Sequence, residues 1–139
     1  MILNKIYKHL LVYAAIVIWI VTVLHFLAMR FYLYWTFSWF DILMHGLGGL
    51  VIGLLAGALV IRFFPMVLEY AVLFFILVLG TTLLVGFLWE VFEFILDLTV
   101  KMQLYQPSVP DTMVDIVMDM IGGCIAGIIG IVTFKAYAK

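Results

Sequence analysis

Charge is what this chain has least of. Lys and Arg together number 7, Asp and Glu 8, and charged residues make up 11% of the whole. A soluble domain carries roughly 25%. There are only three prolines, so long helices can run uninterrupted. One cysteine, Cys124, excludes an internal disulfide and sits in an apolar run, as a small buried residue would. The formal net charge of -1 offers no basic surface, and no nucleic-acid partner is expected. No phosphate-binding glycine loop, His-Glu-x-x-His motif or paired cysteine motif occurs, so no nucleophile or motif-borne cofactor site is expected.

What the chain does have is hydrophobicity, at 68% of its 139 residues. That is enough for one domain, 1–139, with nearly all of it in lipid. Four segments have the length and apolarity to span a bilayer: about Leu10–Met29, Asp41–Phe64, Val67–Val100 and Thr112–Tyr137. The predicted fold is therefore all-α, a four-helix transmembrane bundle. Lys5 and Lys8 ahead of the first segment resemble a signal sequence. No small-residue cleavage site follows, so the first helix is expected to be retained. Between the first two segments lies an aromatic connector, Arg30–Phe40, suited to the headgroup zone. Arg62–Pro65 reads as a tight turn and Met102–Pro110 as a polar loop. The third segment, at 1.5 Å per residue, is about 50 Å long and should project, tilt or bend near Gly80 or Gly86. Lys5, Lys8, Arg62, Lys135 and Lys139 fall at one end of this arrangement, against Arg30 and Lys101 at the other. This asymmetry predicts both termini in the cytoplasm.

Seven of the eight acids gather at the other end. Asp41 begins the second segment, Glu90, Glu93 and Asp97 close the third, and Asp111, Asp115 and Asp119 open the fourth. Steps of three and four residues place each group on one helix face, and Asp41 shares its face with His45. The stripes continue inward as small residues: Gly49, Gly53 and Gly57, then Gly86, then Gly123 and Gly130. Small residues let helices approach closely in lipid, so the acid-bearing faces are expected to meet. A carboxylate deep in the bilayer costs about 3 kcal/mol on insertion scales. Arg30 and Lys101 cannot balance seven of them, whereas a divalent cation could. The residues expected to hold it are His45, Glu90, Glu93, Asp115 and Asp119, with Asp41, Asp97 and Asp111 as further polar groups. A mixed carboxylate and imidazole shell suits Mn, Zn or Fe, while an oxygen-only shell suits Mg or Ca. Simpler roles compete. Asp111 and Asp115 could belong to a capping box begun by Thr112, and Asp41 to one begun by Ser38. Asp97 could be solvated, and His45 could bond a backbone carbonyl. The isolated His25 is read as structural.

The pattern Asp41-x-x-x-His45, Trp89-Glu90-x-x-Glu93, Asp111-x-x-x-Asp115-x-x-x-Asp119 resembles the VanZ-like small polytopic membrane proteins and, more closely, the YjdF-like inner-membrane proteins of bacteria and archaea. The resemblance runs from about Trp39 to Gly127. It implies a multi-pass protein of a prokaryotic plasma membrane with a shared site on the extracytoplasmic side. VanZ-like proteins are associated with resistance to lipoglycopeptide antibiotics. Glu93 stands where that family usually has Gln, Asp119 where it has Asn, and Ile42 where Lys often follows the first Asp. An Arg usual before the last motif is missing, so the site here is the more acidic.

Three functions fit the sequence. One is a metal-dependent site acting on a lipid or lipid-linked phosphate. A second is an ion- or proton-coupled transporter or channel subunit using the same carboxylates, which with so few helices would require a homo-oligomer. A third is a non-catalytic subunit whose acids cap helices and meet a basic partner.

Overall fold

The computed structural model describes residues 2–100 and 108–137. Lys101, Lys139 and most of the polar loop Met102–Pro110 lie outside them. The described chain is helical: α1 (Ile2–Phe31), α2 (Leu33–Thr36), α3 (Ser38–Phe63), a 3-10 turn (Pro65–Glu69), α4 (Ala71–Val100) and α5 (Val109–Tyr137). Backbone groups have no water to bond in hydrocarbon, so long apolar runs fold as uninterrupted helices. Four helices are long and apolar enough to cross a membrane. At 26 to 30 residues they exceed the roughly 20 that hydrocarbon alone requires, so their ends reach into the headgroup zones. α4 continues helically through Gly80 and Gly86.

The connections show where local chemistry stops each helix. α1 ends at Tyr32, whose left-handed backbone (φ 58°) reverses the chain where glycine is the usual choice. The aromatic connector is not extended throughout. It winds one short turn, α2, whose Thr36 hydroxyl donates to the Tyr32 carbonyl at 2.9 Å. Extended Phe37 then leads into α3. Trp35, Phe37 and Trp39 remain exposed, as interfacial aromatics do. Beyond α3, Pro65 opens the 3-10 turn at a position where its missing N–H costs nothing. α5 begins three residues before the expected Thr112. Ser108 is its cap, and the hydroxyl accepts from the Asp111 N–H at 3.3 Å.

α3 is the central helix. Half of its spanning window is buried, against 11% for α1 and 22% for α4. The start of α1 and the end of α5 lie at one end, where the Tyr137 hydroxyl is 3.1 Å from His9 Nε2. From there to mid-bundle the core is apolar, built on Ile6, Leu10, Leu54, Phe74, Val78 and Ala126. Toward the opposite end the buried residues become Thr82, His45, Glu90, Asp115 and Asp119.

Candidate functional site: a histidine among carboxylates

Close backbone approach brings the acids together. One turn inward from His45, α3 and α5 touch. A Cβ on Gly49 would lie 2.7 Å from the Asp119 Cα, and one on Gly122 would lie 2.8 Å from the Gly49 carbonyl carbon. No side chain fits there. Gly86 on α4 has a different neighbour. A Cβ at that position would be 3.0 Å from the Asp119 carboxyl carbon, so this glycine makes room for a carboxylate rather than for another helix backbone. Gly53 and Gly123 continue the seam inward, Gly123 against Thr82 of α4, and Gly57 and Gly130 end it against Phe74.

His45 sits at the centre, 8% exposed. Its Nε2 is 3.9 Å from Glu90 Oε1 of α4, and its Nδ1 is 3.5 Å from Asp119 Oδ2 of α5. The ring is thus flanked by a carboxylate at each nitrogen. Two triads share it. Asp41, His45 and Asp115 each offer a donor atom within 4.8 Å of the other two, and so do His45, Glu90 and Glu93. Donors around one divalent ion at 2.0–2.6 Å stand up to about 5 Å apart, so each triad by itself lies within the span of one cation. Asp115 is 2% exposed, and its Oδ1 finds no hydrogen-bond partner among the described residues. A buried carboxylate oxygen left in that state is costly without a cation or a proton.

The five residues expected as ligands therefore divide. His45, Glu90 and Glu93 form one triad. Asp115 forms the other with Asp41, which sequence reasoning left at the margin. Asp119 belongs to neither and lies instead at His45 Nδ1. The capping readings also change. Ser38 is the first residue of α3 rather than its cap, and no side chain caps that helix. With Ser108 as the cap of α5, Asp111 stands at the capping-box position, and Asp115 lies one turn too deep for that role. Asp97 lies outward of the triads, along a groove between α4 and α5.

One participant had no signal in the sequence. Tyr34, in the short α2, is half-buried near the cluster, and its hydroxyl is 3.0 Å from His25 Nδ1. Burial first, and then the charges of Asp41 and Glu93, raise its pKa to about 12. His25 is thereby tied to the edge of the site through Tyr34.

Over residues 3–136 the chain matches the family described as predicted membrane protein (DUF2238). It belongs to that family. No curated protein and no solved structure matches it. Membership in the DUF2238 family and four spanning helices together make this a multi-pass protein of the lipid bilayer. The DUF2238 match takes in all four spans and every carboxylate of the cluster, so the site lies wholly inside the family's shared region.

Proposed function

We propose that this membrane protein binds a divalent cation between α3, α4 and α5, with His45 the shared ligand. The single observation that carries this reading is the pair of His/carboxylate triads meeting on one buried imidazole. The donor set fits. Imidazole nitrogen with carboxylate oxygens favours Mn, Zn or Fe over Mg or Ca. Asp119 at Nδ1 matches the outer carboxylate that commonly orients a metal-bound histidine, leaving Nε2 toward Glu90. The orphaned Asp115 oxygen would be an anionic donor for a cation in the other triad, with Asp41 and His45.

Bound there, the ion would supply Lewis acidity toward a water or a phosphoryl oxygen, which suits an enzyme acting on a lipid or lipid-linked phosphate. A transport role would need a polar route through the bundle. Below the triads, Leu54, Phe74 and Val78 are fully buried and apolar, which favours a one-sided site. The excess of Lys and Arg at the termini end supports placing that end in the cytoplasm and the triads on the extracytoplasmic side. The likeness to VanZ-like and YjdF-like proteins supports a prokaryotic plasma membrane.

The test is metal analysis of protein purified without chelator from cells supplied in turn with Mn, Zn and Fe. A stoichiometric metal is expected, lost in His45→Ala and in Glu90→Gln. Protein that is folded but free of metal under every supply overturns the proposal.

A further inference from the structure

A groove of about 550 Å³ runs between the outer parts of α4 and α5. Small-molecule sites commonly have this size, roughly 300–1,000 Å³. Its walls are mainly apolar, with Phe87, Val91 and Phe94 on α4 and Met113 and Ile116 on α5. Along α4 it extends from Phe87 to Leu98, about 16 Å at 1.5 Å per residue. Most of the residues lining it are exposed on the flank of the bundle, where a membrane protein faces lipid. One wall residue has a second role: Glu90 lines the groove and also belongs to the His45–Glu90–Glu93 triad. The groove therefore adjoins the candidate metal site, with the buried Glu90 as the wall between them.

From this shared wall we infer that the groove seats a hydrocarbon chain of a phosphate-headed lipid and brings its headgroup to the cation held at the Glu90–Glu93 triad. The inference rests on the metal reading above. An apolar groove facing hydrocarbon holds a chain more readily than water, because water there would lack the two to four polar partners it needs. The phosphate head comes from the metal reading, and charge sets the condition for it. The charged lining residues among those described are Glu90 and Asp97, both acids, and no Lys, Arg or His joins them. Such a lining takes an anionic head only through a bound cation, so phosphate binding must be metal-dependent. The chain in the groove and the phosphate on the metal make separate contributions to one affinity.

Dodecyl phosphate and inorganic phosphate, titrated into Mn-loaded protein in dodecyl maltoside micelles, separate the two. Binding is read as saturable broadening of the phosphorus NMR line by the bound Mn. Dodecyl phosphate is expected to bind at least about tenfold more tightly than inorganic phosphate. Val91→Trp and Met113→Trp fill the groove from opposite walls, and both side chains are exposed, so neither change disturbs the core. Each should remove the tenfold advantage while leaving Mn content and inorganic phosphate affinity unchanged. Equal affinity for the two phosphates overturns the lipid inference and leaves a simple phosphate site. Dodecyl phosphate binding unaltered in both variants overturns it in favour of annular lipid only. Wild-type protein without Mn defeats the metal reading itself, and metal content alone reveals that outcome.

Discussion

The seam between α3 and its neighbours is lined with glycine at both ends of the bundle, but the glycines do different work. Near the site, backbone meets backbone: Gly49 rests on the Asp119 main chain, and Gly122 rests on Gly46 and Gly49. Near the termini, backbone meets side chain, with Gly57 and Gly130 on the Phe74 ring and Gly127 on that of Phe75. A ring can turn or shift by a few tenths of an ångström, whereas two helix backbones in contact cannot. The apolar half is thus packed as cores usually are, with some room to adjust. The half that buries His45, Glu90, Asp115 and Asp119 has, between α3 and α5, contacts with no slack. Donor groups on three helices keep a fixed separation only if the helices do, and a functional site needs that rigidity from its supports.

The comparison breaks most visibly at adjacent glycines. Gly49→Ala places a methyl group on the Asp119 main chain and should cost roughly 3 kcal/mol, near the top of the usual range for overpacking. Gly48→Ala, one residue away, meets nothing within 4 Å. It should be neutral or stabilise by up to about 1 kcal/mol through helix propensity. Gly130→Ala, against the buried Phe74 ring rather than a helix backbone, should fall between them at about 2 kcal/mol. Thermal midpoints in detergent rank the three. Equal losses at Gly49 and Gly130 would mean the two halves are equally compliant.

The four spans were legible in the sequence because lipid leaves a long apolar run few alternatives to a helix. The end bearing the acids was legible too, since steps of three and four place Glu90 with Glu93 and Asp41 with His45 whatever the neighbouring helices do. The grouping into triads was not. It depends on how far α5 slides along α3, and that is fixed by the Gly49–Asp119 contact between residues 70 positions apart. A slip of one turn would exchange Asp115 and Asp119 between the triad and His45 Nδ1. Gly86 was legible as a close-approach residue but not as space for a carboxylate. α2 and Tyr34 were hidden because RFYLYWTFSWF has the composition of an interfacial belt whether it coils or extends. Ser108 was hidden because Thr112, with Asp115 three residues on, spells an equally good capping box.

Asp115→Asn sharpens the comparison by separating what the outer half costs from what it does. In metal-free protein the substitution replaces a buried carboxyl group whose Oδ1 has no hydrogen-bond partner among the described residues and which lies near Asp41 and His45. Stability should rise by about 1 kcal/mol, because the variant needs neither a proton nor a cation at that position. With metal at a hundredfold excess over its dissociation constant, the wild-type protein gains about 2.7 kcal/mol, and the variant, with a ligand lost, gains much less. The order of the two proteins should therefore reverse between chelator and saturating metal. If the variant is the less stable of the two in both conditions, Asp115 is part of a satisfied structural network.

The outermost effect is read at Tyr34, which senses the charge of the outer half from its edge. Burial and the neighbouring carboxylates of Asp41 and Glu93 raise its pKa from 10.0 to about 12, so the folded state favours the neutral phenol. The sign follows from proton binding: between those values the folded protein holds a proton that the unfolded chain has released. The resulting stability is fully present below pH 10 and is lost as the pH rises toward 12. Comparing thermal midpoints across this window in wild type and in Tyr34→Phe isolates the residue from the other tyrosines and the lysines. The wild type should lose more with rising pH than the variant. Asp41→Asn should bring the Tyr34 phenolate absorbance in at lower pH, since one of the two charges opposing ionisation is gone. A Tyr34 titration that ignores Asp41→Asn would mean that burial alone holds the phenol neutral, and that the charge of the outer half does not reach as far as α2.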